Sequence, residues 1–166
     1  MFLKARQIQE LYIAYFARPA DPSGIVYWLN NSPKDIHIKQ VSQLFSYQSE
    51  YKKLINAQAS IDFRINQFYI NLFGRKADFN SLKHWLSLLN EGTYLISDIV
   101  CDLIDSVRYS SNKNTQYITQ DFKTLENKVD AAELFTQEIN TSISWIDLYK
   151  PESLDPWISG LALQAG

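Results

Sequence analysis

The sequence has one cysteine, Cys101, and only five glycines and five prolines among 166 residues. A lone cysteine excludes an internal disulfide and the paired Cys/His clusters of a structural zinc site. Cys101 lies in the apolar stretch SDIVCDLI, so we interpret it as a small buried hydrophobe. No strand pattern with a period of two persists anywhere along the chain. The scarcity of breakers and of strand signals predicts an all-α protein.

The sequence also lacks a run of basic residues, since 16 Lys and Arg are interspersed with 18 Asp and Glu for a formal net charge of −2. The electrostatic footprint of a nucleic-acid-binding protein is therefore missing. No apolar run approaches the roughly 20 residues that a membrane span requires. The N-terminus shows no secretory signal. We expect no nucleic-acid partner and no membrane span, and either a cytoplasmic location or export that reads no N-terminal signal.

What is present is helical periodicity, supported by 46% hydrophobic and 14% aromatic residues. One helix face is predicted in the first segment, where apolar residues follow a period of three to four: Ile8, Leu11, Tyr12, Tyr15 and Phe16. Asp21 followed by Pro22 is a helix-start signal, because the carboxylate can accept first-turn amides and proline suits the first helical position. A helix with Ile25, Trp28 and Leu29 and another with Ile38, Val41, Leu44 and Phe45, closing near residue 51, are expected to follow.

A shift of 57 positions aligns residues 8–29 with residues 65–86 without a gap. Nine of the 22 pairs are identical: Ile8/Ile65, Tyr12/Tyr69, Ile13/Ile70, Phe16/Phe73, Arg18/Arg75, Ala20/Ala77, Asp21/Asp78, Trp28/Trp85 and Leu29/Leu86. With one inserted residue, Tyr51 aligns with Tyr109. This period predicts a duplicated helical unit whose apolar face is covered by its partner.

The predicted organisation is a duplicated helical module over residues 1–140, packed into one compact bundle. It comprises a first repeat at about 6–55, a second at about 62–112 and a further helix at about 118–140, which carries Phe122, Leu125, Val129, Ala132, Leu134 and Phe135. Between them, residues 110–115 read as a polar loop. Residues 141–166 are predicted to form short helices, with Trp145, Leu148, Trp157 and Ile158 as apolar anchors, or a linker to a following domain.

The repeated Arg-x-x-Asp turn has two interpretations. It could contact a ligand or form half of a cation site. We favour a structural role, in which Asp21 and Asp78 cap the helices that follow while Arg18 and Arg75 hold the last carbonyls of the helices that precede. A calcium loop needs several oxygen ligands at alternating positions, and this turn offers one, so no metal is expected.

Trp28 and Trp85 occupy equivalent helical positions, and such tryptophans are typical of a core. Tyr15 and Tyr27 lack an aromatic counterpart in the second repeat. Because sugar-binding sites use amphipathic aromatic surfaces, Tyr15, Tyr27 and the adjacent Arg18 are candidate glycan-binding residues.

No nucleophile elbow, phosphate loop or dinucleotide fingerprint occurs, so no cofactor is expected. The two histidines, His37 and His84, have no further ligand at metal spacing and are assigned surface roles. The sequence therefore predicts a protein that is not an enzyme. A pocket joining a buried carboxylate to either histidine would revive the enzyme alternative.

The first turn and its flanks resemble the bacterial "domain of unknown function 4214" family, whose pattern runs roughly L-Y-x-x-x-x-G-R-x-P-D-x-x-G-x-x-Y-W. The matching residues in the first repeat are Leu11, Tyr12, Arg18, Asp21, Gly24, Tyr27 and Trp28, and those in the second are Tyr69, Gly74, Arg75, Asp78 and Trp85. In the first repeat, Ala17 replaces the usual glycine and Ala20 replaces the frequent proline. In the second repeat, Ser81 replaces the later glycine and His84 replaces the tyrosine, so this repeat is the degenerate one. A downstream stretch from Leu125 to Thr136 is similar to the L-x-N-K-V…Y-F-T segment of such proteins.

The resemblance implies a module of a bacterial surface-layer protein or of a calcium-repeat exoprotein that leaves the cell by type I secretion. By analogy it implies an extracellular, cell-surface location and anchoring to lipopolysaccharide or another surface glycan. Downstream domains of the same chain would be further partners.

An alternative is the phycobilisome linker domain, an intracellular scaffold. The second repeat resembles it through Gly74-Arg75, the loop from Asn90 to Tyr94 and the closing segment from Ser106 to Tyr109.

Overall fold

The computed structural model describes residues 3–56, 58–110 and 116–142. These residues form eight helices and no strand, which confirms the all-α prediction. The helices are α1 (Ala5–Phe16), α2 (Pro22–Asn31), α3 (Ile38–Ser46), α4 (Ser49–Leu54), α5 (Ile61–Phe73), α6 (Phe79–Asn90), α7 (Ile96–Tyr109) and α8 (Gln116–Ser142). The loop predicted at 110–115 is described only at Ser110, and the anchors predicted at Trp145, Leu148, Trp157 and Ile158 lie outside the described residues.

The helices pack into one bundle around a shared core. α1 packs against α5, α3 packs against α7, and α8 contacts α1, α5, α7 and α2. The buried face of α8 carries Leu125, Val129 and Ala132, which repeat at helical spacing and are at most 2% exposed. α8 is therefore a central element of the bundle.

Most of the predicted apolar faces are buried, with local exceptions. The five residues assigned to one face of α1 are all in the core. Leu29, Leu44, Phe122 and Leu134 are instead exposed, Leu134 because it lies on the side of α8 opposite Leu125. The helix predicted to close near residue 51 is divided, since α3 ends at Ser46 and α4 begins at Ser49.

Aromatic rings dominate the core between α1, α2 and α3. The Phe45 ring stacks on Trp28 with centroids 4.5 Å apart and on Phe16 with centroids 5.6 Å apart. The Tyr12 ring meets Phe45 edge-on at 5.3 Å. Such pairs contribute about 0.5–1.5 kcal/mol each beyond the area they bury. The tryptophan of the motif is thus part of the core.

The helices α1 and α5 end in the same way, with one left-handed residue. Ala17 (φ 54°) donates its amide to the Ile13 carbonyl, and Gly74 (φ 74°) donates to that of Ile70. A left-handed conformation costs a residue with a Cβ roughly 1–2 kcal/mol, whereas glycine adopts it freely. Ala17 is the only non-glycine residue with positive φ in the described part of the chain.

Exchanging these two residue types tests that account. Ala17→Gly should raise the free energy of unfolding by about 0.5–1 kcal/mol, because relief of strain exceeds the extra entropy of glycine in the unfolded chain. Gly74→Ala should lower it by a similar amount, since an added Cβ has no heavy atom within 4 Å and only the backbone strain acts. Urea denaturation measures both, and changes of the same sign would contradict the account.

Candidate functional site

Asp21 begins α2 as its N-cap. Its carboxylate accepts hydrogen bonds from the Gly24 amide and the Ser23 hydroxyl, and Pro22 occupies the first helical position. Gly24 is required by close packing, because a Cβ at this position would overlap the Tyr12 hydroxyl. Asp21 therefore has the capping role that its position before Pro22 predicts.

Arg18 does not hold the last carbonyls of α1, and that part of the prediction is wrong. Its Nε and Nη2 donate to the two carboxylate oxygens of Glu50 at 2.8 Å each, and Nη1 donates to the Pro19 carbonyl at 3.0 Å. Its guanidinium carbon also lies 5.0 Å from the centroid of the Tyr12 ring. This two-point pair, with the Arg18 side chain only 8% exposed, connects the first turn to α4.

The second turn is built similarly, but its carboxylate comes from elsewhere. Asp78 caps α6 by accepting from the Ser81 amide at 2.9 Å and the Ser81 hydroxyl at 2.7 Å. Arg75 donates from Nε and Nη2 to both oxygens of Asp121 on α8, at 2.8 and 2.5 Å. The alignment that pairs Tyr51 with Tyr109 places Arg108 opposite Glu50, so the second half lacks the equivalent acid. The additional helix α8 supplies it.

α8 makes further polar contacts with both turns. The Lys128 ammonium donates to the Asn71 carbonyl at 2.6 Å and to that of Ile70 at 3.2 Å, so a lysine from α8 holds the last carbonyls of α5. Burial lowers the pKa of Lys128. At the first turn, the Thr136 hydroxyl donates to the Ala20 carbonyl at 2.6 Å. Sequence reasoning assigned no role to these two side chains, although both lie in the stretch that carries the family resemblance.

A cluster of charged side chains joins α1, α7 and α8. Arg108 donates to Glu10 at 2.6 Å and to Glu126 at 2.8 Å, and Arg6 donates to Glu126 at 2.7 Å. Burial raises the pKa of Glu10, while the Arg108 contacts act in the opposite direction. Burial also acts to raise the pKa of Glu126, but the hydrogen bonds and positive charges of Arg108 and Arg6 together outweigh it and lower the pKa.

Two of the three candidate glycan-binding residues are buried. Tyr15 is only 2% exposed, and its hydroxyl lies 2.8 Å from that of Ser42 in the core. Arg18 is 7% exposed and paired with Glu50. Neither can present a surface to a sugar, so both assignments are wrong. Trp28 and Trp85 are also core residues, at 7% and 8% exposure.

Tyr27 is the candidate that the structure leaves accessible, at 53% exposure. It lines a groove of about 680 Å³ between the start of α1, α2 and the second half of α8. The polar lining includes the amides of Asn30, Asn31 and Gln137 and the carboxylate of Glu133, and the apolar lining includes Val26. We call this the Tyr27 groove.

The remaining reactive side chains offer little chemistry. Cys101 is buried, as predicted, and burial raises the pKa of its thiol to about 12. His37 caps α3 by accepting from the Lys39 amide at 3.3 Å, and both it and His84 are exposed.

Over the described ranges, no group of three or more His, Cys, Asp or Glu side chains is placed to hold a metal ion. In that same part of the chain, no helix combines the length and apolar character needed to cross a membrane.

The Arg75–Asp121 pair should be a principal attachment of α8. Asp121→Asn should lower the free energy of unfolding by about 2 kcal/mol, because the Asp121 side chain is 6% exposed and its charge faces Arg75. The control is Asp130→Asn on the same helix, where the carboxylate that contacts Arg6 is 67% exposed and the loss should stay below about 0.5 kcal/mol. Equal losses in urea denaturation would contradict this assignment.

Asp78 should give the stability a dependence on acid pH. Hydrogen bonds from the Ser81 amide and hydroxyl lower the pKa of Asp78 in the folded state. Its contribution is therefore complete above the unfolded pKa of about 3.9 and is lost as the pH falls through the lower folded value. The stability difference between the wild type and Asp78→Asn should shrink between pH 6 and pH 3, as measured by urea denaturation at each pH. A difference that is constant with pH would contradict the role of the ionised cap.

Comparison with known proteins finds no match, whether to a family model, a curated protein or a solved structure.

Proposed function

We propose that this chain is a non-catalytic module of a bacterial surface-layer or secreted cell-surface protein, which it anchors by binding lipopolysaccharide or another surface glycan. The observation that carries the proposal is the Tyr27 groove, in which an exposed aromatic ring stands beside several amide side chains. The resemblance of the first turn to the family of domain of unknown function 4214 supports the same role by analogy.

The composition of the groove suits a sugar. Tyr27 offers an aromatic face to the C–H groups of a pyranose ring, and its own hydroxyl can hydrogen-bond. Asn30 and Asn31 carry both donors and acceptors, which match sugar hydroxyl groups. The volume of about 680 Å³ lies within the range of small-molecule sites. These features together support recognition of a glycan.

The same lining supports a binding role rather than a catalytic one. Among the described residues, Glu133 is the only acidic one that lines the groove, and it already accepts from Arg6 at 2.7 Å. General acid–base hydrolysis of a glycoside requires two carboxyl groups facing each other across the bond. In the part of the chain that the structure describes, no histidine or cysteine lines the groove to replace the second carboxyl group.

We also propose that the two halves are copies of one helical unit. Several contacts recur at a spacing of 57: Gln9 accepts from the Ala20 amide at 2.8 Å, and Asn66 from the Ala77 amide at 3.0 Å. The arginine of each turn lies over a tyrosine ring, Tyr12 in one half and Tyr69 in the other. Shared geometry at matching positions supports a duplication.

The glycan proposal predicts that Tyr27→Ala weakens binding to lipopolysaccharide of the source organism by at least about tenfold, because the aromatic face is lost. The matched control is Tyr109→Ala, which removes a tyrosine that is 75% exposed and does not line the groove. Binding of the folded chain to immobilised lipopolysaccharide measures both. No binding by the wild type, or equal loss in both variants, would count against the groove as the site.

Fractionation of the source cells tests the location separately. The proposal expects the full-length protein at the cell surface or in the medium. A protein found only in the cytosol would overturn the surface role and favour the scaffold alternative.

A further inference from the structure

A second concavity lies where the end of α3, α4, the first turn of α5 and the start of α7 meet. It encloses about 540 Å³ and shares no lining residue with the Tyr27 groove. Tyr51, Lys52 and Arg64 line it together with the first residues of α7, and we call it the Tyr51 cleft. Among the described residues that line it, the two charged ones, Lys52 and Arg64, are both cationic and none is acidic.

Two residues that line this cleft each carry one buried polar atom without a hydrogen-bond partner among the described residues. The Tyr51 hydroxyl and the Arg64 Nε have no hydrogen-bond partner among the described residues, and Tyr51 is only 6% exposed. Buried polar groups in native proteins are hydrogen-bonded as a rule, since an unmade bond costs about 1–3 kcal/mol. Two such atoms beside one cleft point to a ligand that accepts hydrogen bonds from both.

The start of α7 contributes to the same wall. Leu95, the N-cap residue, and Ile96 and Ser97, the first two residues of this 14-residue helix, line the cleft. The amino end of a helix carries partial positive charge and unpaired amides, which favour an anion. Asp98 accepts from the Leu95 amide at 2.8 Å and is not among the lining residues, and its negative charge offsets part of the positive end of α7.

The phenol of Tyr51 is protonated at physiological pH. Burial raises its pKa well above the usual value, and the nearby Arg64 charge offsets only part of this effect. A neutral hydroxyl donates a hydrogen bond to an anion, whereas an ionised one would repel it. Tyr51, Lys52 and Arg64 are therefore all hydrogen-bond donors, and two of them carry a positive charge.

We propose that the Tyr51 cleft binds an oxyanion, the phosphate or carboxylate group of a sugar-sized ligand. Tyr51 and Arg64 donate to the anionic oxygens, Lys52 adds charge at the exposed side, and the start of α7 adds its positive end. The cleft lies in the size range of small-molecule sites, which is larger than a bare phosphate needs. This assignment does not depend on the glycan role of the Tyr27 groove.

Ligand-dependent stability of the full chain tests the assignment. Glucose 6-phosphate, glucuronate, inorganic phosphate and glucose are added at constant ionic strength, and the unfolding temperature and the heat of binding are measured. Both sugar anions should raise the unfolding temperature, inorganic phosphate should bind at least about tenfold more weakly, and glucose should have no effect. Stabilisation by glucose equal to that by the anions, or no stabilisation by either anion, would overturn the proposal. An affinity for inorganic phosphate equal to that for the sugar anions would overturn the assignment of a sugar-sized ligand.

Variants locate the effect. Arg64→Met should weaken binding of glucose 6-phosphate by about tenfold or more, because a hydrogen bond to a charged group is lost. Tyr51→Phe should weaken it several-fold while raising the stability of the ligand-free protein, since a buried unpaired hydroxyl is removed. The matched control is Lys53→Met, an exposed cation beside Lys52 that does not line the cleft. Equal weakening by Arg64→Met and Lys53→Met would show a general effect of charge and overturn the site.

Discussion

The ion pair between Arg75 and Asp121 is the contact on which the second half of the bundle depends. Both arginines of the Arg-x-x-Asp turns bind a carboxylate through Nε and Nη2, a geometry that only the guanidinium fork allows. The first turn finds its acid on α4 of its own half. The second turn cannot, because Arg108 stands where the acid would be, and α8 provides Asp121 instead. Because Arg108 replaces the acid in the second half, Arg75 pairs with Asp121, and this pair attaches α8 to the bundle.

The Tyr27 groove is a consequence of the same attachment. One wall is α2, whose start is fixed by the Asp21 cap, and the other is the second half of α8 with Glu133 and Gln137. Thr136 joins the two walls through its bond to the Ala20 carbonyl, just before α2 begins. A site built on two helices, each held at a turn, keeps its shape without a ligand. Such preorganisation reduces the entropy that binding costs.

The sequence could predict features that depend on neighbouring residues. The caps at Asp21 and Asp78 involve acceptors and amides three residues apart, and the burial of Trp28 follows from helical spacing. Tyr15 shares a helix face with Leu11 and Tyr12, so helical spacing predicts its burial. The lack of an aromatic counterpart in the second repeat does not indicate exposure. The partners of Arg18 and Arg75 lie 32 and 46 positions away. No local pattern selects Glu50 or Asp121 from the 18 acidic residues of the chain.

The concave surfaces could not be predicted from the sequence, because their lining residues are distant along the chain. The Tyr51 cleft draws its lining from four helices, and nothing in the order of residues brings Arg64 next to Tyr51. Its signal is instead a property of the folded chain, a pair of buried donors without acceptors. The chain has nearly equal numbers of acidic and basic residues, so its composition does not reveal that the charged residues described in the lining of this cleft are both cations.

The polar contacts along α8 determine its register against the other helices as well as the stability of the bundle. Apolar helix faces tolerate sliding, because hydrophobic contact has little direction. Along about four helical turns of α8, Asp121 and Thr136 bind groups on the two Arg-x-x-Asp turns, and Lys128 binds carbonyls in the last turn of α5. Sliding α8 by one turn, about 5.4 Å, would break all of these contacts and leave buried charges unpaired. The register of α8 is therefore fixed by its polar residues, and with it the width of the groove beside Tyr27.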